Sequence, residues 1–242
     1  ERLRPELQQA FRVKFGKEIF EGYGCTETAP VASVNTENVL LSDFLTMQVN
    51  TKSGTVGMAL PGTQFLIVDP ETNEELPVGE SGMILIGGCQ VMEGYLKDPE
   101  RTKNAFVMID GNKFYRTGDK GYIDSDGFLT IVDRYSRFAK LGGEMVSLGA
   151  VEKFIQDLEI LDGFDYSVTT VADEAKGERI VLLYQNMDKT PADLLSELRA
   201  SGMPPLMIPS FAFQVENMPK LGTGKTDYMA AKKMAAELVA AR

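Results

Sequence analysis

The feature that most constrains the fold is a change of hydrophobic pattern near residue 135. Upstream, short apolar and β-prone runs are bounded by Gly, Pro or Asp; they are residues 64–69, 83–87 and 128–132. Closely spaced strands of this length favour a small β-barrel or a distorted sheet. Downstream, helical and extended patterns alternate, which is typical of an α+β domain. The sequence therefore predicts an α/β chain of two domains, 1–135 and 136–242.

The downstream elements have the clearer local signals. An apolar stripe with helical spacing runs along residues 148–158, and Pro191 stands at a favourable first-turn position of a helix that ends at Ala200. The predicted strands are 166–172, 180–185 and 211–215, and a last helix begins at about Thr226. At the other end of the chain, residues 1–17 have helical spacing from the outset, without Met, which predicts a piece of a larger protein.

Composition excludes several classes of function. Histidine is absent, which excludes a Ser-His-Asp triad and His-ligated metals, so any chemistry rests on Lys, Arg, carboxylates, hydroxyls and backbone. The net charge of −10 disfavours a nucleic-acid-binding surface. Two cysteines, Cys25 and Cys89, without a secretory signal indicate a reducing compartment and hence a cytoplasmic chain. No apolar run approaches the roughly 20 residues of a transmembrane segment.

Two clusters in the first predicted domain are suited to a nucleotide. Glycines on both sides of Tyr23 favour an exposed ring that can stack on a purine, and Thr26 and Glu27 offer oxygen ligands to a phosphate-bound Mg²⁺. In the run 115–119, Asp119 follows a glycine and can accept hydrogen bonds from two ribose hydroxyls. Taken singly, a Gly-rich turn and a strand-end turn are the ordinary explanations of these clusters.

Two further clusters lie at the predicted domain boundary and near the end of the chain. Arg134 is suited to clamp a phosphate or ribose oxygen, and Gly142-Gly143 lets backbone pass close to a thin substrate. In Gly222-Thr223-Gly224-Lys225, a lysine on a Gly-rich turn can stabilise charge developing on a carboxylate and a phosphate. A charged linker and a surface lysine are the ordinary alternatives.

Together and in this order, the clusters resemble the adenylate-forming superfamily of acyl-CoA synthetases, luciferases and peptide-synthetase adenylation domains. The matches are residues 23–27 to its YGxTE motif, 115–119 to its YRTGD motif, 133–152 to its hinge-and-lid segment, and Gly224-Lys225 to its C-terminal GK motif. The resemblance covers essentially the whole chain. It implies the C-terminal part of a large AMP-binding domain, a helix plus β-barrel-like strands, followed by a small α+β lid domain.

The resemblance also implies a role for each site residue. Lys225 is expected to act in adenylation, and Lys140 and Gly143 to line the pantetheine path of the thioester step. Tyr23 and Gly24 are expected beside the adenine. The other expected contacts to ATP or AMP are Thr26 at the α-phosphate, Asp119 and Arg134 at the ribose, and Glu27 at Mg²⁺.

Within the superfamily, the run 137–148, together with residues 21–24 and 218–227, resembles the bacterial acyl-acyl-carrier-protein synthetases that are fused to a 2-acylglycerophosphoethanolamine acyltransferase. This implies activation of a long-chain fatty acid as acyl-AMP and transfer to acyl carrier protein, in a parent at the cytoplasmic face of the inner membrane. A CoA ligase and a non-catalytic carrier-protein-docking module are the alternatives. Four basic residues are interpreted in one of two ways, as a docking patch for carrier protein or as ordinary surface charge: Arg137, Lys140, Lys232 and Lys233.

Two departures from the family pattern affect these expectations. Ser136 stands where the family usually carries a hinge Asp or Lys. The Ser/Thr/Gly-rich loop that binds the β- and γ-phosphates in the family has no counterpart in the sequence. Because positioning of ATP supplies much of the rate in this chemistry, the chain alone is expected to be catalytically silent, with weak AMP binding at most.

Overall fold

The fold is given by a computed structural model that describes residues 3, 5–43, 45–173, 175, 177–185 and 188–242. The described residues fall into two compact units that meet in sequence between Tyr135 and Ser136. Each unit is built of sheets with a few helices, and the predicted α/β class is confirmed.

The first unit is mostly β-structure. Its helices are α1 (Pro5–Phe15) and α2 (Pro99–Ala105). Its strands are β1 (Gly22–Tyr23), β2 (Ser33–Val34), β3 (Val39–Leu40), β4 (Met47–Gln48), β5 (Met58–Ala59), β6 (Thr63–Val68), β7 (Gly82–Gly88), β8 (Phe106–Ile109), β9 (Asn112–Ile123) and β10 (Leu129–Arg134). They form a β1-β2-β5 sheet, a β10-β9-β7-β6 sheet with β8 also paired to β9, and a β3-β4 hairpin.

Strand β7 is central to this core because the predicted run Met83–Gly87 is apolar or small at every position. Successive side chains of a strand point to opposite faces. Ile84 therefore packs in one apolar cluster with Leu129 of β10, whereas Leu85 packs in a second with Phe114 of β9. Burying each such side chain contributes roughly 1.5–3 kcal/mol. The buried strand β7 pairs with β9, the strand that carries the 115–119 motif, and so fixes the position of that motif.

Strand β9 continues through the motif that local sequence reads as a strand-end turn. Its pairing with β7 passes from Arg116↔Leu85 to Lys120↔Met83, so β9 carries two extra residues between these pairs. Gly118 lies in this bulge with a φ of 75°, a conformation that glycine adopts without strain. The interpretation of this run as a strand-end turn is wrong, because Gly118 adopts the positive φ that the bulge requires and β9 continues to pair with β7 beyond it.

The second unit matches its sequence signals closely. Its strands are β11 (Phe138–Leu141), β12 (Glu144–Ser147), β13 (Tyr166–Asp173), β14 (Gly177–Gln185) and β15 (Phe211–Val215), and its helices are α3 (Leu148–Asp157), α4 (Pro191–Ala200) and α5 (Tyr228–Ala240). The sheet order is β12-β11-β14-β13, with β15 parallel to β14. Helix α5 begins where Asp227 caps it, since its carboxylate accepts the N–H groups of Met229 and Ala230.

The sheet of the second unit is covered on both faces. On β14, Ile180 packs in a cluster with residues of α3 and α4, and Val181 packs in another with residues of α5. This alternation explains why the predicted strand 180–185 is apolar or aromatic from Ile180 to Tyr184. Within the described ranges, no helix is long and apolar enough to cross a membrane.

Candidate active site

A buried carboxylate, Asp119, is the centre of the first candidate site. Its Oδ2 accepts a hydrogen bond of 2.6 Å from the Tyr23 hydroxyl, and its Oδ1 accepts one of 3.0 Å from Arg134 Nε. Three predicted site residues from distant parts of the sequence therefore form one hydrogen-bonded group. The Arg134 side chain remains 69% exposed, so its guanidinium is accessible to a ligand.

The bulge in β9 orients Asp119. Thr117 Oγ1 accepts the Asp119 backbone N–H at 3.0 Å and donates to the Ile84 carbonyl at 2.8 Å, which ties the bulge to β7. Arg134, at the end of β10, is the direct antiparallel partner of Asp119. Opposite charges on directly paired residues stabilise such a ladder. Strand register thus explains why residues of two separate motifs meet.

Tyr23 is not the exposed ring expected from the sequence. Its ring is half-buried and packs against the cluster that contains Ile84 and Leu129. Burial, and then the negative charge of Asp119, raise the pKa of the Tyr23 hydroxyl well above its ordinary value. The hydroxyl therefore stays protonated as a donor to Asp119. The expectation of exposure is wrong because β1 is part of a sheet and its tyrosine covers apolar side chains.

Gly24 is required by a close approach of two backbone segments. A Cβ atom at this position would lie 1.9 Å from the Pro30 carbonyl oxygen, so a side chain would displace the backbone. The chain doubles back here, since the Ala32 N–H donates to the Tyr23 carbonyl at 2.8 Å. Gly24 thereby sets the path of the turn that follows.

That turn carries the candidate phosphate and metal ligands. It is a 3₁₀ turn, Thr26–Thr28, and the fully buried Thr28 ties it to Cys25. Thr28 Oγ1 accepts the Cys25 N–H at 3.1 Å and donates to the Cys25 carbonyl at 3.0 Å. Thr28 points into the protein interior, whereas Thr26 is exposed and Glu27 is half-buried.

The Glu27 carboxylate is held by Tyr95, a residue that the sequence analysis did not single out. Tyr95 donates its hydroxyl hydrogen to Glu27 Oε1 at 2.7 Å, across 68 residues of sequence. Burial alone would raise the pKa of Glu27, but hydrogen bonds, foremost that from Tyr95, lower it below its ordinary value. Glu27 is therefore ionised at neutral pH. No local pattern indicates this long-range contact in advance.

The oxygen ligands at Glu27 and Thr26 fit a magnesium ion that is bound jointly by the protein and a nucleotide. Mg²⁺ is usually bound by one or two carboxylates together with substrate phosphates and water. In the part of the chain that the structure describes, no group of three or more Asp, Glu, His or Cys side chains could hold a metal by itself. A single ionised carboxylate next in sequence to the Thr26 hydroxyl suits a phosphate-bound cation.

In the second unit, Lys140 and Gly143 lie on one β-hairpin. Strands β11 and β12 are joined by Gly142-Gly143, whose φ angles of 59° and 99° are both positive, as a type I′ turn requires. Lys140 is exposed, and its backbone N–H donates to Glu178 Oε2 at 2.8 Å. The hairpin thus presents a lysine beside a turn that has no side chains.

Lys225 directly follows the loop of a second tight hairpin, residues 222–224. The Leu221 N–H donates to the Lys225 carbonyl at 2.8 Å, and Lys220 and Thr226 form an antiparallel bridge at the base. Gly224 has a φ of 82°, as the last residue of a three-residue hairpin loop needs. The Lys225 side chain is exposed, and the described residues show no hydrogen bond from it to the Lys140 hairpin.

Arg137 is not exposed as the expected cationic docking patch would require. This side chain is only 14% exposed, and its Nη2 lies 2.5 Å from Glu152 Oε2. Its Nη1 donates to the Tyr228 hydroxyl at 3.1 Å, and its Cζ lies 4.1 Å from the centre of that ring. Arg137 is therefore an internal tie of the second unit, and the exposed-patch expectation is wrong at this residue.

Comparison with known proteins gives consistent matches. The AMP-binding enzyme family profile matches residues 1–96. A 4-coumarate–CoA ligase 1 of Glycine max is 32% identical over 227 residues, which cover 92% of this chain and 74% of that protein. A 4-coumarate–CoA ligase 1 of Petroselinum crispum is 37% identical over 177 residues, covering 73% of this chain and 30% of that protein.

Solved structures support the same fold. The crystal structure of ATP-bound MatB from Rhodopseudomonas palustris superposes with a TM-score of 0.76 at 26% identity, covering 96% of this chain and 44% of that chain. The chain thus spans under half of this solved relative and 30% of the Petroselinum crispum ligase. The likeness covers both units and confirms the α/β fold.

Proposed function

This chain belongs to the adenylate-forming, acyl-CoA ligase family of AMP-binding enzymes, and we propose that it supplies the nucleotide-binding part and the lid of an ATP-dependent acid–thiol ligase. The observation that carries the proposal is the buried Asp119 carboxylate, held by Tyr23 and Arg134. In the first step, a carboxylic acid attacks the α-phosphorus of ATP and pyrophosphate leaves. In the second, a thiol attacks the acyl carbon of acyl-AMP and AMP leaves.

The proposed nucleotide contacts are those that the family resemblance implies, and the geometry of the first unit supports them. Each oxygen of an ionised carboxylate can accept more than one hydrogen bond, so Asp119 can bind ribose hydroxyls and still hold Tyr23. The exposed Arg134 guanidinium can donate to an oxygen of the same nucleotide. Thr26 is the proposed α-phosphate contact, and Glu27 would hold Mg²⁺, which neutralises phosphate charge when bound.

Lys225 is the proposed adenylation lysine. Its exposed ammonium stands on a hairpin loop with a bonded base, which fixes the backbone and leaves the side chain free to meet a developing charge. Removing a donor that stabilises charge in a transition state costs about 2.7–4 kcal/mol of barrier, or roughly 10²–10³ in rate, and we expect a loss of this order for Lys225. We propose Ser136, where the two units meet in sequence, as the hinge between the two steps.

The thiol acceptor is proposed to be a pantetheine thiol that passes the Gly142-Gly143 turn beside Lys140. Coenzyme A is favoured, because the relatives named above are 4-coumarate–CoA ligases and because Arg137 is withdrawn from the carrier-docking patch. A long-chain fatty acid with acyl carrier protein is the second candidate, supported by the resemblance of the run 137–148. Fusion to an acyltransferase and a membrane-bound parent stay predictions from the sequence.

A non-catalytic docking module is the less favoured alternative. Docking of a carrier protein does not require a buried carboxylate that is hydrogen-bonded to a tyrosine and to an exposed arginine. Both Asp119 and Lys225 are present, and each is held by its backbone in a defined turn or bulge. These features favour a ligase.

The test is acid-dependent ATP–pyrophosphate exchange by the full-length protein that carries this chain. Wild type, Lys225→Ala and a matched surface control, Lys153→Ala, are compared with long-chain fatty acids and with 4-coumarate. Lys153 is suited as the control because it is a mostly exposed lysine of the same unit and lies outside the candidate docking patch. Thioester formation is then measured with coenzyme A and carrier protein offered separately.

We expect exchange to fall roughly 10²–10³-fold in Lys225→Ala and to be unchanged in Lys153→Ala. Exchange that survives the Lys225 change would remove this lysine from adenylation. Product on coenzyme A alone supports a CoA ligase, and product on carrier protein alone supports the second candidate. No exchange with any acid would contradict the ligase proposal. The isolated 242-residue chain is expected to show no exchange.

A further inference from the structure

We infer that Tyr95 is a positioning residue that orients the Glu27 carboxylate toward a nucleotide-bound divalent cation. The inference deepens the proposed function and rests on it for the role of Glu27. Tyr95 Oη lies 2.7 Å from Glu27 Oε1 and can only donate to an ionised carboxylate. It would not itself touch the cation or the reacting atoms.

The backbone of Glu27 is held by the same segment that carries Tyr95. The Met92 N–H donates to the Glu27 carbonyl at 2.9 Å. Lys113 Nζ in turn donates to the carbonyls of Met92 and Glu93 at 3.2 and 3.3 Å. The segment that supplies the hydroxyl is thus fastened to the turn that supplies the carboxylate, so both ends of the contact move together.

The ring of Tyr95 is itself fixed by α2. Thr102 Oγ1 accepts the Tyr95 N–H at 2.8 Å, and the Arg101 guanidinium lies over the ring with Cζ 3.7 Å from its centre. Gly94 is needed for this approach, because a Cβ there would lie 2.6 Å from Thr102 Cγ2. A tyrosine held at its backbone and its ring is a rigid donor.

Such rigidity matters because a glutamate has several rotatable bonds that must be ordered before it can bind a cation. Partners that hydrogen-bond to a metal ligand orient that ligand, and their removal typically lowers metal affinity or activity roughly 10–100-fold. The hydrogen bond from Tyr95 restricts the Glu27 side chain before a cation binds, so less conformational entropy is lost on binding. The Tyr95 ring, helix α2 and Glu27 all lie in the first unit, so the arrangement needs no residue of the second.

The test measures binding of Mn²⁺ together with ATP to the full-length protein, by electron paramagnetic resonance of the cation. Tyr95→Phe removes only the hydroxyl and keeps the ring under Arg101. Tyr122→Phe, on β9 and away from the contact, is the matched control. Glu27→Gln and the double variant Tyr95→Phe with Glu27→Gln complete the cycle, and thermal melting checks that each variant is folded.

We expect Tyr95→Phe to weaken Mn²⁺ binding roughly 10–100-fold and Tyr122→Phe to leave it unchanged. In the Glu27→Gln background, Tyr95→Phe should add little, because the carboxylate it orients is gone. Unchanged Mn²⁺ binding in Tyr95→Phe, or an equal loss in the Glu27→Gln background, overturns the inference. A wild type that binds no Mn²⁺ with ATP overturns it too, since Glu27 then holds no cation.

The binding measurement separates this inference from the ligase proposal. Normal coupling between Tyr95 and Glu27 in a protein without pyrophosphate exchange would contradict the ligase proposal and support the positioning role. Exchange in the wild type, with Mn²⁺ binding insensitive to Tyr95→Phe, would support the ligase and overturn the positioning role.

Discussion

The two units hold their candidate residues in opposite ways. In the first unit the functional side chains are themselves bonded: Asp119 to Tyr23 and Arg134, and Glu27 to Tyr95. These side chains are buried or half-buried, apart from that of Arg134. The proposed nucleotide contacts of the first unit are therefore held in place by other side chains of the same unit.

In the second unit the backbone is bonded and the side chains are left exposed. Lys140 is held through its N–H by Glu178, and Lys225 through its carbonyl by Leu221. Among the residues that the structure describes, neither ammonium group makes an ion pair or a hydrogen bond. The difference is that the candidate residues of the first unit are ordered at their side chains, whereas the candidate lysines of the second unit are ordered only at their backbone.

The largest expected difference between the regions concerns their motif glycines. Gly24→Ala should destabilise the protein by about 3 kcal/mol, because its Cβ would lie 1.9 Å from the Pro30 oxygen. Gly222→Ala in the Lys225 loop should be close to neutral, since a Cβ there meets nothing within 4 Å. Urea unfolding of both variants measures the contrast. Equal losses would show that the two turns are packed alike.

The next largest effect concerns the buried carboxylate. Asp119→Asn should cost about 2 kcal/mol, because it removes the charge that accepts the hydrogen bonds from Tyr23 and Arg134. AMP binding, measured by calorimetry, should weaken with it. Asp126→Asn is the control, since its side chain is 65% exposed. AMP binding that is intact in Asp119→Asn would exclude this group as the ribose site.

A smaller difference is expected between two tyrosine hydroxyls. Tyr23→Phe should cost about 1 kcal/mol, because the half-buried hydroxyl donates to a carboxylate. Tyr228→Phe should cost less, since Tyr228 is 40% exposed and its ring can still contact Arg137. Thermal unfolding compares the two directly. The reverse order would mean that the second unit, not the first, depends on its polar side-chain contacts.

The smallest effect is a pH dependence in the second unit. Burial alone would raise the pKa of Glu178, but the Lys140 N–H and other partners lower it below its ordinary value of 4.5. A lowered pKa stabilises the fold above 4.5 and loses that contribution as the pH falls through the folded-state value.

Replacement of the same carboxylate tests that sign. Glu178→Gln should cost under about 1 kcal/mol at neutral pH, since the side chain is partly exposed. The difference from wild type should shrink under acid conditions, as followed by urea unfolding along a pH series. Glu144→Gln, exposed on β12, is the control. A difference that grows toward acid would reverse the assignment.

Local sequence predicted elements best where a cap and a periodic pattern coincide. Helix α4 matches the predicted 191–200, because Thr190 caps it through the Asp193 N–H and Pro191 follows. Helix α1 ends at Phe15 instead of Lys17, and Gly16 follows it with a positive φ of 62°. Short-range signals of this kind need no knowledge of the rest of the chain.

The motif residues were visible in the sequence, but their mutual contacts were not. The motifs identify Tyr23, Asp119 and Arg134 separately, whereas their joint hydrogen bonding depends on a bulge in β9 and on the register of β10. Tyr95 was missed altogether, because its bond to Glu27 links segments 68 residues apart.

Residue chemistry, composition and hydrophobic period are local properties, so the chain's own order of residues carried the α/β class, the motifs and the excluded histidine chemistry. Burial, register and hydrogen-bond partners arise only when distant segments pack together. That packing turned an expected exposed Tyr23 into a half-buried donor and withdrew Arg137 from the surface. It also gave Glu27 a partner that no motif names.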